Sequence, residues 1–272
     1  MVYHSDSEAP APAARGITAH SPGLHSHVKI EIWSDVACPW CFIGKRRFEK
    51  ALEAFPHRDE VDVHWRSYQL DPSIPEHYDG TELSYLSERK GMAPEQVRTM
   101  FGHVTEQAAG EGLAYDFDTV VVANSFTAHR LIHLAAQSGK ADEAKERLLS
   151  DHFEHGKDIG SPEYLRSLGA ELGLPSQDVE ELFTTDKYAD AVREDIAEAR
   201  AIGVSGVPFF VFDRKYGVSG AQSSETFTQV LDEVWQESHP LLTPAAVGAA
   251  TAGGATADDA ELNGQTCGPD GC

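Results

Sequence analysis

The sequence predicts an α/β protein whose single sheet is built from two separated stretches of chain, with a block of helices between them. Three patterns predict it: a strand–helix–strand unit over 28–75, helical periodicity over 76–203, and a return to short strands with a last helix over 204–237. A two-stranded hairpin with one helix buries too little surface to fold alone. The last stretch therefore completes the sheet that the first begins, and 76–203 reads as a helical insertion domain.

In VKIEIW, Val28, Ile30 and Ile32 alternate with Lys29, Glu31 and Trp33, which is the period of a strand. In SDVACPWCFIGKRRFEKALEAF, Ile43, Phe48, Leu52 and Phe55 fall on one helical face, and Pro56 stops the pattern. VDVHWRSYQL (61–70) is the second strand, with Val61, Val63 and Trp65 on one side. Within the insertion, Val97, Phe101, Val104 and Ala108 recur at helical spacing, and ANSFTAHRLIHLAAQ (123–137) starts at an N-cap candidate, Asn124 or Ser125. Ser161-Pro162 pairs a cap with proline at the first helical position. Pro175 precedes Val179, Leu182 and Phe183, and the run from Tyr188 to Ala199 ends at Gly203. Five or six helices are expected. PFFVF (208–212) is a short buried strand, Asp213-Arg214-Lys215 turns into YGVSG, and Ser223 caps a helix carrying Phe227, Val230, Leu231 and Val234.

The 272 residues hold 22 Lys and Arg against 44 Asp and Glu, a formal charge of −22. Between 28 and 237 stand 21 of the bases and 38 of the acids, so the acidity belongs to the folded body. Such a surface repels nucleic acids and anionic lipid, and neither is an expected partner. No apolar run approaches the roughly 18 residues of a membrane span. Residues 1–27, rich in Ala, Pro, Ser and His, lack the apolar core of a secretory signal and read as a disordered tail, with His4, His20, His25 and His27 solvated. Residues 238–272 read as a flexible tail ending in TCGPDGC. The expected compartment is the cytoplasm, where close cysteine pairs serve catalysis or metal binding more often than structure.

The four cysteines form two pairs, Cys38–Cys41 and Cys267–Cys272. Cys38-Pro39-Trp40-Cys41 stands between a strand and a helix. Free N–H groups and the positive end of the helix favour a thiolate at Cys38, and Cys41 lies one turn on, on the same side. This arrangement fits an attacking Cys38 and a more buried Cys41 that resolves the mixed disulfide. Lys45, Arg46 and Arg47 are expected to face water. The four cysteines could also be split as two halves of a zinc site, but zinc pairs usually sit on tight turns with their partners nearby, whereas a helix starts at the first pair here. No metal is expected. Pro208, after Val207, removes a ladder donor at the start of a buried strand and marks a turn.

The segments IEIWSDVACPWCFIGKRRFEKAL, ANSFTAHRLIHLA and GVSGVPFFVFDRKYGVSGAQ, in this order and spacing, resemble the DsbA family of the thioredoxin superfamily, the FrnE-type proteins in particular. The resemblance spans about 28–237. It implies a thioredoxin-like fold with a helical insertion domain that caps the active site, attack by Cys38, resolution by Cys41, and a cis Pro208 packed against the pair. It further implies that Val207 offers its backbone to an extended substrate, beside Pro39 and Trp40. Asn124, Ala128, His129 and Arg130 match a helix motif of the family, and Asn124 is read first as an N-cap. Periplasmic members carry His in place of Trp40, so a less oxidising pair is expected here. The same fold hosts 2-hydroxychromene-2-carboxylate isomerases and kappa-class glutathione transferases, in which Ser stands in place of Cys38.

The function expected from these readings is thiol–disulfide exchange with polypeptide thiols and disulfides, served by a cellular dithiol reductant. It needs no prosthetic group, with glutathione as the one candidate co-substrate. Cys267 and Cys272 enclose a Gly-Pro-Asp-Gly turn on a linker long enough to reach the active site, and are a candidate secondary redox pair. The rival readings are a glutathione-dependent isomerase or transferase, and a holdase-like module that binds unfolded chains.

Overall fold

The computed structural model describes residues 27–75, 78–240 and 267–268. The expectations for residues 1–26, for most of the C-terminal tail and for Cys272 fall outside these residues.

Strand β1 (Val28–Ser34) leads through the site loop into helix α1 (Pro39–Ala54), and a 3₁₀ turn at Arg58–Glu60 delivers the chain to β2 (Val61–Ser67). β1 and β2 are parallel, in register from Val28 opposite Val61 to Ser34 opposite Ser67. A parallel pair needs a crossover, which α1 supplies. β3 (Phe209–Phe212) runs antiparallel to β1, and β4 (Tyr216–Ser219) antiparallel to β3, giving the order β2-β1-β3-β4. The hairpin turns on Asp213 and Arg214, at φ 48° and 58°. Helix α9 (Ser224–Ser238) follows, with the Ser223 side chain accepting the Thr226 N–H as the cap.

The second strand ends at Ser67, short of the expected residue 70. The Asp195 carboxylate takes the Ser67 N–H at 2.8 Å, and Asp35 takes the Leu70 N–H at 2.8 Å, so side chains draw the backbone out of the ladder. β1 is also more enclosed than a half-exposed strand: Glu31 is buried and paired with Arg66 and Arg214.

Between β2 and β3 run α2 (Glu82–Arg89), α3 (Pro94–Gly110), α4 (Phe126–Ala136), α5 (Ala141–Phe153), α6 (Pro162–Glu171), α7 (Ser176–Thr184) and α8 (Ala189–Ala201). These are seven helices where five or six were expected. α2 and α5 are the elements for which no periodic pattern is read; α2 is short, eight residues making barely two turns before Gly91 at φ +69°. Two of the expected caps form as read, Ser161 accepting from Tyr164 N–H and Ser223 from Thr226 N–H.

Three main apolar clusters hold these layers. Phe48, Phe210, Phe212 and Phe227 meet between the sheet and α1 and α9. Leu131, Leu148, Leu165 and Leu182 join α4 to α7. The third cluster contains Cys38, Cys41 and Val207 together with Val104, Leu149 and Phe153 of α3 and α5, so the helices between the strands share in the core around the cysteines.

Candidate active site

Cys38 is the N-cap residue of α1, in an extended conformation, with Pro39 in the first helical turn where no N–H partner is needed. The Cys38 N–H reaches Asp35 O at 3.3 Å and the Cys41 N–H reaches Cys38 O at 3.1 Å, which closes the turn. Both thiols are free and both are buried, Cys38 at 0% and Cys41 at 1% exposure. The expected difference in burial between the two is therefore not present. Trp40 is also buried and lies 5.9 Å, ring to ring, from His103 of α3. The Tyr115 hydroxyl donates to Pro39 O at 2.6 Å.

The Val207-Pro208 peptide is cis, as the resemblance implied. Gly220 N–H donates to Pro208 O at 2.8 Å, and Pro208 lies against α1 at Gly44, where an added Cβ would stand 2.9 Å from Pro208 Cγ. A glycine is what lets this loop approach the helix. The Cys38 thiol donates to Val207 O at 3.6 Å, so the loop and the helix start meet at the sulfur.

The loop at Val207 is also paired with the chain's own C-terminal segment. Cys267 N–H donates to Val207 O at 2.8 Å, and Val207 N–H donates to Cys267 O at 2.9 Å, an antiparallel bridge. Cys267 is 0% exposed and belongs to the same buried cluster as Cys38 and Cys41, so here the tail is packed rather than loose. Cys267 is in a disulfide, and Cys38 and Cys41 are not.

Beneath the cysteines lies a buried polar group that the sequence did not reveal. Asp35 accepts from Ala37 N–H and Leu70 N–H and pairs with His129 Nε2 at 3.2 Å. Lys145 of α5, 1% exposed, donates to Ser34 O at 3.1 Å. Burial pushes the Cys38 thiol up, and the neighbouring Cys41 and, more weakly, the Asp35 charge add to this. Burial raises Cys41 too, but the Cys38 hydrogen bond and the Lys145 charge outweigh it and hold Cys41 below its ordinary value. With the tail in place, the proton shared by the pair rests on Cys38. Burial also lowers Lys145, to about 8, and leaves it a cation at pH 7.

Two further expectations are corrected. Lys45 does not face water: it is 2% exposed and pairs with Glu49, Asp142 and Glu146, while Arg46 pairs with Glu146 and Arg47 with Glu111. The helix motif divides by role. Ser125, not Asn124, is the N-cap of α4; Asn124 accepts the Phe126 N–H at 3.0 Å and donates to Ile74 O, which supports the helix start from outside. Arg130 donates to Leu182 O, Thr185 O and Lys187 O at the end of α7. Only His129 reaches the site. Among the described residues no cluster of three or more His, Cys, Asp or Glu side chains is placed to hold a metal, and no helix is long and apolar enough to cross a membrane.

Comparison with known proteins places this geometry. Residues 29–232 match the model of the DsbA-like thioredoxin domain. A probable DsbA oxidoreductase from Streptomyces coelicolor is 41% identical, with 90% of this chain and 98% of that one covered and a TM-score of 0.73. The uncharacterized protein YwbO of Bacillus subtilis is 24% identical over 209 residues, 76% of this chain and 96% of its own. A 2-hydroxychromene-2-carboxylate isomerase shares the fold at 12% identity, with 79% and 100% of the chains covered and a TM-score of 0.56. A helix-start cysteine pair against a cis-proline loop, within a domain matched over most of its length, leads to one conclusion: the chain belongs to the DsbA-like thioredoxin-domain family, with the fold of a disulfide oxidoreductase.

Proposed function

We propose that the protein exchanges disulfides with polypeptide substrates through Cys38-Pro39-Trp40-Cys41. The observation that carries this reading is the cysteine-bearing segment bridged to Val207, beside two free thiols at a helix start. An extended substrate lies where that segment lies. Pro39 and Trp40 flank it, and Val207 and Pro208 form the loop it pairs with.

The proton that rests on Cys38 passes to Cys41, and the Cys38 thiolate so formed attacks one sulfur of the substrate disulfide. That S–S bond breaks, the second substrate sulfur leaves as a thiolate and takes a proton, and a Cys38–substrate disulfide forms. The Cys41 thiolate then attacks Cys38 Sγ, and the first substrate sulfur leaves. The substrate has gained two electrons and the Cys38–Cys41 pair has lost them. A cellular dithiol reductant, with glutathione as an alternative co-substrate, restores the thiols, and the same steps in reverse oxidise a dithiol. No prosthetic group takes part. The tail supplies an internal substrate: attack by Cys38 on the Cys267 disulfide passes electrons within the chain, which makes Cys267 and Cys272 a secondary redox pair. Residues 76–203 act as the insertion that caps the site, in a reducing cytoplasm. A thiol at position 38 disfavours isomerase chemistry.

Equilibration of the protein with glutathione redox buffers tests the reading. One two-electron couple at Cys38–Cys41 is expected, with a potential nearer −270 mV than −120 mV because Trp40 brings no charge. Cysteines that stay reduced at every ratio, or peptide binding undiminished when both are replaced, would leave only a binding module.

A further inference from the structure

The segment on Val207 also shows what a substrate presents next to its reactive cysteine. Gly268 follows Cys267 and lines a cavity of about 70 Å³. On this measure ~10–15 Å³ holds one water, so the space corresponds to several waters or one large side chain. Its walls are mainly apolar, with Leu70, Leu86, Met100, Phe101, Phe117 and Phe153 among them, and Pro39 of the site sequence stands at the same opening. Gly268 has no side chain to place in this space. A Cβ built on Gly268 would meet only Ser205 O, at 3.6 Å, which is ordinary contact, so a side chain there is not blocked.

The remaining lining narrows the choice. Asp35, Asp71 and Glu82 line it against one cation, Lys90, which is paired with Asp71, and this disfavours an acidic side chain. His152 also lines the cavity and is 2% exposed; its ring interacts with the backbone at Lys157, and its Nδ1 is buried with no hydrogen-bond partner.

We infer that this cavity is a specificity pocket for the residue immediately after the reactive cysteine of a polypeptide substrate, and that it takes an aromatic side chain, tyrosine best of all. The inference rests on the disulfide-exchange reading of the same site and adds the substrate class to it. The ring fills the apolar space and the phenol hydroxyl supplies the donor that His152 Nδ1 lacks. The tail, with glycine at this position, makes the backbone pairing but not the pocket contact. A substrate with the aromatic residue therefore displaces it.

The test uses the full chain and synthetic peptides of one sequence. Each carries a single cysteine disulfide-bonded to glutathione and followed by Gly, Lys, Asp, Phe or Tyr, with dithiothreitol as the reductant. For Tyr and Phe, kcat/KM is expected to exceed that for Gly by about 10-fold or more, the range a filled apolar pocket gives, with Asp the slowest. A flat series, or Tyr no faster than Gly, overturns the pocket while leaving disulfide exchange intact. If no peptide is reduced faster than with Cys38→Ser, the exchange reading itself fails and takes the pocket with it. In a second arm, Gly268→Tyr lets the tail fill its own cavity. The KM for the Tyr peptide is then expected to rise about 10-fold with the circular dichroism spectrum unchanged, and an unchanged KM in the folded variant overturns the inference.

Discussion

Cys38 and Cys41 differ little in burial, so the hydrogen bond between them, and then the charges around them, set them apart. Asp35 faces the pair from the loop and Lys145 from α5, and the two sulfurs respond in opposite directions. Replacing Lys145 by Met keeps the volume and removes the cation. In a Cys38→Ser background, the pH midpoint for alkylation of Cys41 should then rise by about one unit or more, the effect of losing a nearby opposite charge. An unchanged midpoint would mean that Lys145 only fills space. The cysteine pair and Pro208 were legible in the sequence because their chemistry is local: a cysteine spacing at a helix start, and a proline before a strand. Asp35 and Lys145 were not, and His129 stood out only as part of a helix motif with no partner assigned, since 94 residues separate Asp35 from His129 and 111 separate Ser34 from Lys145. Burial of a charged side chain far along the chain leaves no spacing signal.

Helix α1 holds the two halves of the structure from opposite faces. Phe48 packs on Phe210 and Phe227, at ring distances of 5.5 and 5.6 Å, and joins the helix to the sheet and α9. Lys45 and Arg46, on another face, pair with Glu146 of α5. Phe48→Ala should cost about 3–5 kcal/mol in denaturant unfolding, the usual range for a buried phenylalanine. A loss under 1 kcal/mol would mean that the cluster collapses to fill the space. The apolar face was readable from its 3.6-residue period, as were β1, the hairpin and α9. The charged face was misread as solvent-facing, because a run of Lys and Arg looks the same whether water or an acidic helix covers it. β2 was read too long for a related reason: the side chains that stop it, Asp35 and Asp195, lie far away in sequence.

At the scale of the whole molecule, buried histidines tie stability to pH. Burial lowers both His129 and His152, the latter to about 4, although the Asp35 charge acts on both in the opposite direction. In the unfolded chain they take up protons near the ordinary 6.5, so between about 4 and 6.5 the unfolded state binds more protons and stability falls as the pH drops. For His152 alone the loss approaches ~3 kcal/mol by pH 4, at about 1.4 kcal/mol per unit. The melting temperature should therefore fall from pH 7 to pH 5, and less steeply in His152→Leu; equal slopes would contradict the assignment. The C-terminal segment adds the other long-range link. Composition marked residues 238–272 as a loose tail, yet Cys267 is buried on Val207, because a backbone pairing needs no apolar pattern. The central claim is that Cys38 is the sulfur that attacks and Cys41 the one that resolves. The direct measurement is mass spectrometry of Cys41→Ser after reaction with a disulfide-bonded peptide: the account predicts a stable adduct on Cys38, absent from Cys38→Ser, whereas an adduct on Cys41 in Cys38→Ser, with none on Cys38 in Cys41→Ser, would contradict it.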